Sequence, residues 1–89
     1  MILQISYDLH NAGRDYASII STIKSADGWA HPQGSVWLID TPLSPKNWVD
    51  KLKLAGDSDD EYFVVQLVQN AAWNNMDQEA VDWLNSRNW

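Results

Sequence analysis

Hydrophobic positions along this 89-residue chain change period several times. From Ile2 to Leu9 they alternate, with Leu3, Ile5 and Tyr7 set against Ile2, Gln4, Ser6 and Asp8, which predicts a strand. Asn11-Ala12-Gly13 interrupts the pattern. From Arg14 to Ala26 the period is helical, because Tyr16, Ile19, Ile20 and Ile23 fall at i, i+3, i+4 and i+7 and form one stripe. Asp15 in the first turn and Lys24 near the end suit the helix dipole, and Gly28 suits a left-handed position after the last turn. Trp29 to His31 reads as a brief edge strand, with Pro32-Gln33-Gly34 turning the chain back, since proline cannot donate to a ladder. Ser35 to Asp40 is a further strand, with Val36 and Leu38 on one face and Trp37 and Ile39 on the other.

A second helix has clear boundaries: Ser44 as N-cap, Pro45 at the first helical position and Gly56 just past the end. Trp48, Val49, Leu52 and Ala55 line one side of it, and Lys46, Asp50 and Lys53 fall elsewhere. Glu61 to Gln69 is the most strand-like run, alternating Phe63, Val65 and Leu67 against Tyr62, Val64, Gln66 and Val68. Asn70 to Trp73 is a candidate for a short extra strand. Asn75-Met76-Asp77-Gln78 resembles a capping box opening a last helix with Ala80, Val81 and Leu84 on one face. The order is strand, helix, short strand, strand, helix, strand, helical tail. It predicts an α+β, ferredoxin-like βαββαβ domain over residues 1–69, a four-stranded antiparallel sheet with two helices on one face. Residues 70–89 form a C-terminal extension packed on the domain or on a dimer partner. Two strands are apolar on both faces, so something must cover the second face, either the C-terminal helix or a second copy of the chain.

Composition then narrows the function classes. Twelve acidic residues against six basic ones give a formal charge of −6, which argues against a general nucleic-acid coat and leaves any such binding weak and salt-sensitive. Without cysteine there is neither a disulfide nor a thiolate metal site. No apolar run approaches the ~18 residues of a membrane span, and Met1-Ile2-Leu3-Gln4 lacks the basic start of a signal peptide, so a soluble cytoplasmic protein without membrane association is expected. Asp57, Asp59, Asp60 and Glu61 lack the glycine at position six and glutamate at position twelve of an EF-hand loop and read as a solvated connector. Lys46, Lys51, Lys53 and Arg14 are the plausible phosphate contacts, and a charged outer helix face explains the lysines equally well. There is no glycine-rich phosphate loop, Ser–His–Asp order or zinc spacing. Six tryptophans are unusual for this length. Trp37 and Trp48 fall at core or interface positions, whereas Trp73, Trp83 and Trp89 lie in the tail. Exposed aromatics with few cations beside them point to a protein partner.

Ile5-Ser6-Tyr7-Asp8-Leu9 resembles the end of the first strand in the CRISPR-associated protein two family, and Gly34-Ser35-Val36-Trp37-Leu38-Ile39-Asp40-Thr41-Pro42-Leu43-Ser44 resembles its third strand running into helix two. The chain is more similar still to small proteins labelled SinR-like, relatives of that family and of virulence-associated protein D. The matching residues there are Ser6-Tyr7-Asp8-Leu9, Trp29 and His31 before Ser35-Val36-Trp37, and Asp60-Glu61-Tyr62-Phe63-Val64-Val65. Together they span roughly residues 2–69. The resemblance implies a ferredoxin-like homodimer, and in its nuclease members an aspartate ending strand one binds Mg²⁺ between protomers. Asp8 holds that place, as a candidate metal ligand and catalytic residue, and His10 two residues on is a candidate proton carrier. Two functions follow: a homodimeric interaction module without robust catalysis, using Trp73, Trp83 and Trp89 toward a partner, or a Mg²⁺-dependent endonuclease working through Asp8. A defence-linked regulatory ligand binder is the third. Neither a helix-turn-helix nor a basic recognition helix accompanies the SinR-like label.

Overall fold

The alternating run at the start of the chain becomes an inner strand. In the computed structural model, which describes residues 1–9 and 16–89, β1 (Ile2–Asp8) lies between β3 (Val36–Asp40) and β4 (Glu61–Gln66), with β2 (Gly28–Gln33) outside β3. All neighbours in the order β2-β3-β1-β4 are antiparallel. β1 therefore runs parallel to β2 with β3 between them, and β3 runs parallel to β4 with β1 between them. Helices α1 (Ala17–Lys24) and α2 (Pro45–Ala55) make those two crossovers, and α3 (Gln78–Asn85) ends the chain. The fold is an α+β domain with an open antiparallel sheet and three helices.

Each sheet face has its own core. On the first, Leu3 and Ile5 of β1 and Trp37 and Ile39 of β3 pack with Ile19 and Ile23 of α1 and Trp48 and Leu52 of α2. On the second, Ile2, Ala30 and Leu38 pack with Ala80 and Leu84 of α3, bordered by Leu67, Met76, Trp83 and Trp89. The C-terminal helix thus covers the second face, but over β2 and β3 rather than the whole sheet. Thr41 ties the strand end to α2: its hydroxyl accepts from Trp48 Nε1 (3.0 Å) and from the Leu43 amide (3.1 Å), and it is fully buried. The tail is held by Arg87, whose guanidinium donates to Asp40 at 2.9 Å, lies against Gly28 and sits 4.5 Å from the Trp83 ring centre.

Several local expectations change. The first helix starts at Ala17, with Tyr16 in the capping position, while Arg14 and Asp15 lie outside the described residues. It ends at Ser25 with right-handed geometry, and Gly28 opens β2 instead of capping the helix. There Gly28 admits the Arg87 side chain, which a Cβ would meet at 3.0 Å. Strand β2 continues through Pro32, tolerated because β2 is an edge and its register shifts between Ala30 and Gln33. Gly56 has an ordinary extended backbone, and its missing Cβ makes room for the Tyr62 hydroxyl. The last strand stops at Gln66, and residues 70–73 form no strand. The final helix is capped by Asp77, which accepts from the Ala80 amide at 3.4 Å. Ser44 and Pro45 open α2 as expected.

Candidate functional site

The half of the second face left open by α3 belongs to β1 and β4. Its residues follow from the register: Ser6 opposite Phe63, Gln4 opposite Val65, and Asp8 opposite Glu61. They share a face with Ile2, because side chains two apart on a strand point the same way. Phe63 is 64% exposed there, and Val68, just past the strand, is 67% exposed. Gln4 Nε2 donates to Ser6 Oγ at 3.0 Å, so the polar neighbours of Phe63 are partly satisfied by one another.

The outer side of β4 is an edge. The Leu67 amide donates to the Ile2 carbonyl at 2.9 Å, which makes Ile2 and Leu67 a hydrogen-bonded pair. In an antiparallel ladder such pairs alternate, so odd-numbered residues of β4 turn their backbone groups toward β1. The N–H and C=O groups of Val64 and Gln66 consequently face away from the sheet. No other described strand lies beyond them.

Asp8 is exposed at the end of β1, and the fold places Glu61 directly across from it. Glu61 was not a candidate from spacing, since 53 residues separate the two; an antiparallel register between the first and last strands is what unites them. A shallow hollow lined by Ser6, Tyr7, Asp8, Glu61, Tyr62 and Phe63 opens at this end. Among the described residues no three His, Asp or Glu side chains gather into a metal-binding group. His10 lies outside the described residues. No family model, curated protein or solved structure matches the chain.

The tail tryptophans separate. Trp83 and Trp89 are half-buried in the second core, and Trp89 Nε1 donates to the Leu84 carbonyl at 3.0 Å. Trp73 is 41% exposed on the segment before α3. On β2, Trp29 is also exposed, 5.5 Å from the Trp37 ring, with Lys24 Nζ 4.8 Å above it. His31 stacks on the other indole, Trp37, at 3.7 Å and 11°, and its Nε2 donates to the Gly34 carbonyl at 3.1 Å. These contacts close the β2 turn and explain why Trp29, His31 and Trp37 occur together, without requiring a ligand. No helix is long and apolar enough to cross a membrane among the described residues.

Proposed function

We propose that this chain is a ferredoxin-like interaction module, allied to the CRISPR-associated protein two and SinR-like families, that functions through self-association as a homodimer. The observation that carries this reading is the exposure of Phe63 on the edge strand β4, and of Val68 just past it, beside an uncovered half-face whose other residues are Gln4, Ser6, Asp8, Glu61 and the half-buried Val65. From Tyr62 to Asn70 the chain has neither a charge nor a proline, the usual guards of an exposed edge. An isologous pairing of two β4 edges uses the same surface on both copies and keeps the Glu61 carboxylates away from the two-fold axis. Sedimentation equilibrium at micromolar concentration is expected to give about 20 kDa, twice the 10.1 kDa chain, for an interface of standard size. Phe63→Glu should return the monomer mass without loss of helix or strand signal, because the side chain is exposed. A wild-type chain that sediments at 10 kDa throughout would remove the proposal.

A second reading rests on the Asp8–Glu61 pair. Two carboxylates per chain are the right kind of donor for Mg²⁺, which takes oxygen ligands and keeps several waters, and a second copy would double the set. Mg²⁺ bound there would orient a phosphate and acidify a water. The charge balance opposes the reading. Two copies carry −12, twice −6, so long-range steering repels a polyanion. We expect no robust cleavage of labelled single- or double-stranded RNA or DNA with Mg²⁺ or Mn²⁺, and Asp8→Ala is expected to leave folding and dimerisation intact. Metal-dependent cleavage that survives repurification and vanishes in Asp8→Ala would install the nuclease instead.

A further inference from the structure

Between the second core and the segment leading into α3 lies a groove of about 330 Å³, within the range of small-molecule sites. Leu38, Leu67 and Leu84 line it together with Trp73 and Trp89. Four amide-bearing residues, Gln4, Gln33, Asn74 and Asn75, complete the lining. Each presents one acceptor oxygen and two N–H donors. Only Gln4 engages its amide with a described residue, through one N–H to Ser6. No ionisable side chain lines the groove, although 18 of 89 residues are acidic or basic (12 and 6). The other hollows differ in this respect: Asp57, Asp60 and Lys53 line one, Asp8 and Glu61 another, Asp77 and Glu79 a third.

A second observation marks the same place. Asn75 has φ of 56°, the one positive value outside glycine among the described residues. Asparagine tolerates this left-handed geometry better than most residues, and such conformations gather at ligand clamps. Here it turns the segment carrying Trp73 and Asn74 back along the sheet before Asp77 starts α3.

We propose that this groove binds a neutral, planar, nucleobase-type heterocycle, with an indole stacked on the ring and carboxamides pairing its edge. Carboxamides match the adjacent donor and acceptor of an adenine edge, and indoles stack on any base. The absence of a cation in the lining and the net charge of −6 select against phosphate, so the ligand is a free base or nucleoside and not a nucleotide or a base within a strand. The groove adjoins the open half-face and shares Gln4 with it, but Phe63 and Val68, on which the association rests, do not line it.

Indole N–H resonances of the ¹⁵N-labelled chain provide the test, because the six tryptophans report separately. Adenosine or uridine is expected to shift the Trp73 and Trp89 signals saturably and to leave that of Trp48, buried on the opposite face, unmoved. Adenosine monophosphate and a short single-stranded oligoadenylate should each bind roughly tenfold or more weakly, and Trp73→Ala should weaken adenosine by roughly tenfold, the scale of one lost stacking contact. Ala72→Trp, at an exposed lining position, should fill the groove and abolish the shifts while the Trp48 signal stays in place. The proposal fails if neither nucleoside produces a saturable shift, if the phosphorylated ligands bind as tightly as adenosine, or if the shifts persist in Ala72→Trp.

Discussion

Replacing Trp48 by alanine is expected to lower the thermal midpoint by roughly 12 °C or more. The side chain is 1% exposed at the centre of the first core, against Leu52 and the strand residues Leu3, Ile5 and Ile39. Truncation of a buried aromatic to alanine costs about 3–5 kcal/mol through lost transfer energy and the remaining cavity. For a domain of this size each kcal/mol moves the midpoint by about 4–8 °C. The whole chain has roughly 4–13 kcal/mol at ~0.05–0.15 per residue, so the variant stands near the threshold of folding. Trp48→Phe separates packing from hydrogen bonding. It keeps most of the apolar volume but withdraws the donor from Thr41, whose hydroxyl still accepts from Leu43, and should cost about 1–2 kcal/mol. Differential scanning calorimetry of the two variants ranks them. If Trp48→Ala melts within a few degrees of the parent chain, the first core is not organised around this residue.

The second large effect is expected at Leu84→Asp. Leu84 is buried between α3 and the β2–β3 half of the sheet, and Arg87, the cation that holds the tail there, is already paired with Asp40. An isolated charge there costs more than releasing the helix, so α3 should undock rather than bury it. The loss is then capped by the docking energy of α3, about 2–5 kcal/mol if it resembles deletion of a buried leucine. Undocking bares Ile2, Ala30 and Leu38 while the first core, on the other face, persists. Dye binding to exposed apolar surface should rise, limited proteolysis should cut before Gln78, and the buried Trp48 signal should be retained. Loss of the Trp48 signal together with α3 would mean that the two cores form one cooperative unit.

The existence of the four strands and of α1 was legible from period alone, whereas α2 was legible to its ends because its period and caps agree. Ser44, Pro45 and the Trp48–Leu52 stripe specify α2 at three levels at once. The need for cover on the second face was legible from Val36 and Leu38 opposing Trp37 and Ile39. What covers it was not, since two occupants fit the same pattern, and only the docking of Ala80 and Leu84 shows that α3 takes half of the surface. Gly28 was misread because an Asp-Gly pair after a helix has two uses, a left-handed cap or a close approach, and here Arg87, 59 residues away, requires the second. The Asp8–Glu61 pair was hidden for a related reason: a strand register joins positions that sequence spacing keeps apart. Trp83 and Trp89 look like ligands for a partner when the tail is read as a free segment. They are half-buried because the tail folds back.

The two outer strands of the sheet are not equivalent, and that difference sets the valency of any edge-to-edge assembly. Strand β2 carries Pro32, which has no N–H to offer, and its register breaks between Ala30 and Gln33. An incoming strand would find neither a full row of donors nor a regular pleat there. Strand β4 carries no such obstruction. A chain with one sticky edge and one blocked edge can join a single neighbour and then stops, because the pair presents only blocked edges to solvent. Growth into filaments requires two competent edges per unit. Under the proposed β4 pairing Pro32 would act as a terminator together with the register break beside it, and Pro32→Val, which restores a donor, is expected to give light-scattering species larger than the dimer.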